Sequence, residues 1–144
     1  MDKALNYLAL ARKAGLVELG EEPVGAAARA NHARLVVVAG DATDHTWRRA
    51  LSFVAGTNQK CLRTEYTKDQ LGQAVGRTSL AVAAFTDPAL ALAFVQALEQ
   101  PEKYRELLAE LEERTRRARQ RRQEEKAHQR NLRRGRRKAG TKQD

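Results

Sequence analysis

The sequence is poor in cysteine and in aromatic residues: its 144 residues include one cysteine, and aromatic residues make up 5%. Cysteines form the disulfides of small secreted proteins and the ligands of many metal clusters. A single cysteine excludes an internal disulfide and a zinc site made of paired cysteines, and it agrees with a reducing compartment. Cys61 lies in a predicted strand and is expected to be a small buried hydrophobic residue. With so few aromatic residues, the core has to be built mainly from Ala, Val and Leu.

Long apolar runs are also missing. The runs LVVVAG and LAVAAF are far shorter than the roughly 20 residues that a membrane-spanning helix needs. The opening segment, MDKALNYLALARKAG, lacks the apolar core of a signal peptide. We therefore expect a soluble, cytoplasmic protein with no membrane partner.

Residues that could support catalysis are few and scattered. His32, His45 and His128 are widely separated along the chain, and none has a histidine or cysteine at helical spacing. Asp41 and Asp44 follow a strand, where ligands of open α/β sheets often bind, but paired aspartates at a turn more often cap helices. The sequence predicts a protein that is not an enzyme and that holds no cofactor or metal.

Charge is unevenly distributed along the chain. Residues 1–100 contain eleven basic and ten acidic residues, a net charge of +1, whereas residues 101–144 contain sixteen basic and eight acidic residues, a net charge of +8. This split predicts a near-neutral globular domain over residues 1–100 and a basic extension over residues 101–144. The extension should begin as a helix, and its last residues, 133–144, should be a disordered tail.

Within the extension, residues 114–138 form an arginine arm that carries 13 basic residues against two glutamates. The planar fork of arginine matches the geometry of phosphate and can stack on bases, so the arm predicts RNA as the partner. Three Glu–Arg pairs at i,i+4 spacing favour a helix that leaves the domain near Leu111 and frays within the arm. The alternatives are a solvated helix that binds nothing specific, DNA, and anionic lipid, although the arm has no apolar face for a membrane.

Local patterns in residues 1–100 predict alternating helices and strands in the order αβαβαβαβα. The continuous apolar runs 34–39 and 80–85 are typical of strands buried on both faces. Helical crossovers of about ten residues then favour a three-layer α/β/α sandwich with a largely parallel or mixed four-stranded sheet. Helix starts are expected at Asp2, Pro23, Asp44, a Thr67–Gln70 capping box, and Asp87 with Pro88.

The stretch LGEEPVGA, residues 19–26, joins a strand to a helix and is a candidate phosphate-binding turn. Its spacing is not G-x-G-x-x-G, Pro23 removes a backbone donor, and Glu21 and Glu22 would repel a phosphate. The simplest interpretation is that the two carboxylates complement the helix dipole.

Three segments in order, LALARKAGLVELGEE, RLVVVAGDAT and LGQAVGRTSLAVAAFTD, resemble the kink-turn RNA-binding ribosomal proteins of the L-seven-Ae and L-thirty-e superfamily. The opening LARKAG is similar to their bacterial YlxQ-like branch. The resemblance covers residues 3–98. It implies an α/β/α sandwich that binds RNA without catalysis and is associated with ribosomes or translation.

In that superfamily, the turn from the first strand into the second helix carries a Gly-x-Asn-Glu-x-x-Lys pattern that reads a sheared base pair. On this chain the glycine is Gly20, but the asparagine, glutamate and lysine positions hold Glu22, Pro23 and Ala26. The second RNA-contacting loop corresponds to residues 76–80, where Thr78 and Ser79 replace an apolar pair. We therefore expect this chain to share the fold of the superfamily more fully than its mode of RNA binding.

We predict a monomeric RNA-binding protein whose partner is ribosomal or another structured RNA, with the ribosome as a possible site of action. The alternative is a protein-interaction adaptor of the translation machinery that has lost kink-turn recognition. The residues predicted to contact RNA are Arg12, Lys13, Gly20, Glu21, Glu22, Arg77, Thr78, Ser79, Arg116, Arg117, Arg121, Arg122, Arg133, Arg134, Arg136 and Arg137.

Overall fold

The computed structural model describes residues 2–142, with side chains described through residue 135. Helices and strands alternate along this range as the sequence predicts, and a last helix contains most of the basic extension. The elements are α1 (Lys3–Ala14), β1 (Val17–Leu19), α2 (Glu21–Arg29), β2 (Leu35–Val38), α3 (Asp44–Val54), β3 (Cys61–Arg63), α4 (Lys68–Ala74), β4 (Val82–Phe85), α5 (Pro88–Ala97) and α6 (Arg105–Lys142).

The four strands form a mixed sheet in the order β1-β4-β2-β3. Strands β2 and β3 are parallel, with Val37 opposite Leu62, whereas β4 is antiparallel to both β1 and β2. Of the two predicted alternatives, the mixed sheet is therefore the observed one. The central strands β2 and β4 are buried at every position, as their continuous apolar sequences indicate.

Helices cover both faces of the sheet, which confirms the three-layer α/β/α sandwich. On one face α1 packs against α4 and α5, and on the other α2 packs against α3. The core contains few aromatic rings; Phe85 of β4 and Phe94 of α5 pack with their ring centroids 5.2 Å apart. Leu8 of α1 and Val24 of α2 are fully buried on opposite faces of the sheet.

Most of the predicted helix starts are confirmed. The Asp2 carboxylate accepts a hydrogen bond from the Ala4 amide at 2.8 Å, and Thr67 and Gln70 form the capping box of α4. Asp87 accepts from the Leu90 amide at 3.0 Å, with Pro88 as the first residue of α5.

Two predicted starts are wrong by one or two residues. Thr43 rather than Asp44 caps α3, because its hydroxyl accepts from the Thr46 amide at 3.2 Å. Pro23 is the third residue of α2, not the first. Amides of the first helical turn have no intrahelical acceptor, so proline at this position removes no hydrogen bond.

The first third of α6 packs on the domain. Leu108 and Leu111 lie against the core that includes α5, and the buried Thr115 hydroxyl donates to the Leu111 carbonyl at 2.8 Å. Lys60 and Glu110 form an ion pair at 3.5 Å. After Ala118 every described side chain of the helix is exposed, so α6 joins a packed segment to a solvated one.

The expectation that this helix frays within the arginine arm is wrong, because α6 continues to Lys142. The predicted disordered tail is therefore helical over most of its length, and its residues 143–144 lie outside the described range. Arginine, glutamine, glutamate, lysine and alanine all have high helix propensity, and no proline interrupts them. Of the three expected i,i+4 pairs, Glu110–Arg114 and Glu113–Arg117 form at 3.9 and 3.2 Å, whereas Arg116 contacts Glu113 instead, at 2.9 Å.

The antiparallel pairing of β1 with β4 defines two opposite ends of the sheet. At the Gly20 end, β1 finishes and β4 begins, and the Gly20 amide donates to the Val82 carbonyl at 3.0 Å. At the α6 end, β4 finishes and β1 begins, and the Thr86 amide donates to the Leu16 carbonyl at 2.9 Å. Helix α6 crosses this second end, where Arg122 lies 3.8 Å from Asp87.

Replacing Leu111 with Ala should destabilise the whole domain. Leu111 is 1% exposed, and burial of such a side chain implies a loss of about 2–5 kcal/mol in the free energy of unfolding. Urea denaturation followed by Trp47 fluorescence measures the change. The matched control is Leu132→Ala in the same helix, where the side chain is 49% exposed and the change should stay within about 0.5 kcal/mol. Similar small effects of both substitutions would contradict the packing of α6 on α5.

Candidate nucleic-acid interface

The Gly20 turn links β1 to α2 through a backbone conformation that suits glycine. Gly20 has φ +95°, and it caps α2 without any side-chain hydrogen bond. Its amide is held by the Val82 carbonyl of β4, and its own carbonyl accepts from the Val24 amide at 3.0 Å. The turn is thus fixed by its backbone, and its side chains are free to take other roles.

The two glutamates of the turn have different surroundings. Glu21 lies 3.4 Å from the Arg49 guanidinium, which in turn lies over the Phe53 ring, so this carboxylate ties α2 to α3. Gly25 reinforces this contact, because a Cβ there would lie 3.1 Å from the Phe53 ring. Glu22 is exposed and has no such partner among the described side chains. The structure therefore gives Glu21 an intramolecular role and leaves Glu22 facing solvent.

The loop before β4 lies directly beside the Gly20 turn. A guanidinium nitrogen of Arg77 is 3.9 Å from the position that a Cβ on Gly20 would occupy. The loop is held on α4, because the Arg77 amide donates to the Gly72 carbonyl at 2.8 Å. Gly72 permits this approach, since a Cβ there would lie 2.8 Å from the backbone of Arg77 and Ser79. Arg77, Thr78 and Ser79 are all exposed.

Arg12 and Lys13 are not part of this group. They occupy the last turn of α1, which leads through Gly15 into the start of β1. Gly20 follows the end of the same strand, whose three residues span about 10 Å. The structure therefore brings Gly20, Arg77, Thr78 and Ser79 together, and it places Arg12 and Lys13 at the α6 end.

The predicted contacts of the arm all lie on α6, in different settings. Arg116 and Arg117 contact Glu113, and Arg122 contacts Asp87. Arg121, Arg133 and Arg134 are exposed. The side chains of Arg136 and Arg137 lie outside the described part of the chain. The outer half of α6 thus presents arginines that the domain does not cover.

Two further arginines at the α6 end are absent from the predicted set of site residues. Arg34 directly precedes β2 and is half-buried, and Arg114 of α6 is 19% exposed and donates to the Asn58 carbonyl. Burial and the nearby guanidinium groups of Arg114 and Arg121 lower the pKa of Arg34. No sequence pattern signals this meeting, because Arg34 and Arg114 are 80 positions apart and only the tertiary fold joins them.

The other reactive side chains have structural surroundings. Burial raises the pKa of Cys61 to about 12, so its thiol stays protonated at neutral pH and acts as a packing group. The Tyr66 hydroxyl donates to Asp2 at 2.7 Å, and burial and this carboxylate raise its pKa. Among the described side chains, no three of His, Cys, Asp and Glu converge as metal ligands. Between residues 2 and 142, no helix combines the length and apolarity needed to cross a bilayer.

Comparison with known proteins supports the fold. The sequence matches no protein family and no curated protein. A protein of unknown function from Bacillus halodurans C has a similar structure, with a TM-score of 0.64 and 24% sequence identity over 69% of this chain and all of that one. A 15.5 kD RNA-binding protein from Giardia lamblia has a TM-score of 0.55 and 18% identity over 70% of this chain and 86% of that one. The chain shares its sandwich fold with both.

Replacing Gly20 with Ala should lower the free energy of unfolding by about 1–3 kcal/mol, because a backbone with φ +95° and ψ 162° is essentially restricted to glycine. Space is not the cause, since the nearest atoms to the new Cβ would be 3.8 and 3.9 Å away. Urea denaturation measures the loss. The matched control is Gly135→Ala, at a helical position with no neighbouring atom within 4 Å, which should cost nothing. Equal stability of the two variants would refute the positive φ at Gly20.

Proposed function

We propose that this protein binds RNA, ribosomal or another structured RNA, and that it has no catalytic role. The observation that carries the proposal is the continuous helix α6, which joins a packed segment to an exposed one rich in arginine. The shared fold with an RNA-binding protein and the resemblance to kink-turn-binding ribosomal proteins support the same function.

The dimensions of α6 suit a nucleic-acid backbone. At 1.5 Å per residue, the segment from residue 119 to residue 142 is about 36 Å long. Arginines on several sides of this segment can meet phosphates along one groove or strand, and each contact releases counterions. Such binding depends steeply on salt and only weakly on base sequence.

In this proposal the Gly20 turn contributes to shape complementarity with the RNA more than to recognition of its bases. Glu22, Pro23 and Ala26, which stand where the superfamily has asparagine, glutamate and lysine, are all exposed on α2. An exposed carboxylate repels phosphate, and alanine offers no donor to it. Arg77 in the adjacent loop supplies a single positive charge beside the turn. Recognition of a kink-turn in the usual way is therefore not expected from the natural sequence.

The adaptor alternative is favoured by one observation, the exposed Glu22 beside Pro23, which suits a protein partner better than a phosphate. The adaptor and the RNA-binding hypotheses predict different effects of RNase on complexes isolated from cells. A complex held by RNA disperses on RNase digestion, and a complex held by protein contacts survives it.

Neutralising three exposed arginines of α6, as Arg130→Gln, Arg133→Gln and Arg134→Gln together, should weaken RNA binding and its salt dependence. If each meets one phosphate of single-stranded RNA, the slope of log K against log salt should fall by about 2. Fluorescence anisotropy with a labelled RNA over a range of about 50–300 mM salt measures both quantities.

The charge-matched control carries Lys3→Gln, Arg48→Gln and Lys68→Gln, which remove three basic side chains on other helices. It should keep most of the affinity and slope. A parallel loss in both triple variants would show that net charge alone, and not the arm, determines binding.

Restoring the superfamily pattern, as Glu22→Asn, Pro23→Glu and Ala26→Lys together, should raise affinity for a kink-turn RNA hairpin by about tenfold or more, because it places an amide, a carboxylate that accepts from base edges and a cation at the pattern's three contact positions. The three positions are exposed, so the fold should tolerate the change. Ala26→Lys alone is the control, since it adds the charge without the reading pattern. Equal gains in both variants would mean that the turn does not read the RNA even with the right side chains.

A further inference from the structure

A groove of about 460 Å³ lies between α6 and the α6 end of the sheet. Two loop residues, Asn31 and Asn58, form part of its wall, together with Asp87 at the start of α5. The rest of the charged lining consists of five arginines, which we call the arginine groove: Arg34, Arg114, Arg117, Arg121 and Arg122.

The arginines come from two elements that the fold brings together. Arg34 is held immediately before β2, where its amide donates to the Phe85 carbonyl at 2.7 Å. Arg114, Arg117 and Arg121 are spaced by three and four residues, which places them on one face of α6. The packing of Leu111 and Thr115 turns that face toward Arg34.

Three of the five guanidinium groups have a carboxylate nearby. Arg114 lies 3.9 Å from Glu110, Arg117 lies 3.2 Å from Glu113, and Arg122 lies 3.8 Å from Asp87. The Asp87 carboxylate is also engaged as the cap of α5.

The other two groups have no such partner. Arg34 donates to the Asn31 carbonyl at 3.2 Å, and among the described side chains neither Arg34 nor Arg121 has a carboxylate oxygen within 4 Å. The groove therefore carries an excess of positive charge that the protein itself does not neutralise.

This arrangement is unfavourable without a ligand. Arg34 and Arg114 are half-buried, so less water screens the charges of their guanidinium groups than those of the exposed Arg117, Arg121 and Arg122. Burial is the main cause of the lowered pKa of Arg34, and repulsion from Arg114 and Arg121 lowers it further. An anion between these groups would remove the repulsion and accept several charge-assisted hydrogen bonds.

We propose that the arginine groove binds a phosphate group, and that in the complex this is a backbone phosphate of RNA. Phosphate has the size and the several acceptor oxygens that converging guanidinium forks recognise. The groove is continuous with the exposed arginines of α6, so a strand with one phosphate in the groove can continue along the helix. The RNA part of the inference rests on the proposed function, and it places RNA at the α6 end of the sheet, away from the Gly20 turn.

The test compares Arg34→Gln with Arg121→Gln in one full-length variant against Lys3→Gln with Arg48→Gln in another. Both variants lose two charges, but Lys3 and Arg48 are exposed on α1 and α3 and do not line the groove. Two ligands are measured on each protein: a labelled RNA by anisotropy at about 100 mM salt, and inorganic pyrophosphate by calorimetry and by the rise in unfolding temperature. Unfolding without ligand shows that both variants fold.

The groove variant should lose about tenfold or more in RNA affinity and should no longer be stabilised by pyrophosphate, whereas the control should lose less than about threefold in RNA affinity and keep its response to pyrophosphate. Equal losses of RNA affinity in both variants would overturn the groove as an RNA site and leave the proposed function standing. Loss of pyrophosphate binding with unchanged RNA affinity would assign the groove to a free phosphate compound and refute the RNA docking. If the parent protein binds pyrophosphate but no RNA, the proposed function fails while the phosphate site stands.

Discussion

The antiparallel insertion of β4 between β1 and β2 determines which loops meet at each end of the sheet. Because β4 runs against both neighbours, the loop that precedes it meets the end of β1, which brings Arg77 beside Gly20. The same pairing carries the residue after β4 to the start of β2, so Asp87 and Arg34 line one groove. Arg77 and Arg34 thus lie at opposite ends of the sheet because of this single pairing.

The apolar stripe at the start of α6 has a comparable effect on the basic extension. Leu108, Leu111 and Thr115 attach the helix to the domain, so its arginines hold a fixed direction relative to the sheet. A flexible arm would lose conformational freedom each time it met a ligand. A helix that is already formed and anchored loses less, because its backbone is ordered before binding.

Local features of the fold can be predicted from the sequence, and long-range ones cannot. The caps at Asp2, Thr67 and Asp87 and the two buried strands depend on residue types within a few positions. Strand order depends on pairings between distant segments, which no local pattern records. From the sequence, α6 is expected to fray within the arginine arm, but the helix continues to Lys142. The high helix propensity of its residues outweighs the repulsion between their charges. The family resemblance makes the Gly20 turn a candidate RNA contact from the sequence alone. The proximity of Arg34 to α6 arises only in the tertiary structure.

The sheet order also decides which strands are exposed at its edges. The edges are β1 and β3, each of three residues, whereas the fully buried strands β2 and β4 lie between them. Short edge strands offer few unpaired backbone groups to a neighbouring molecule. A cationic protein that accumulates along a polyanion reaches a high local concentration, where edge-to-edge pairing would lead to aggregates. The short strands β1 and β3 therefore leave little backbone through which copies of this chain could pair edge to edge.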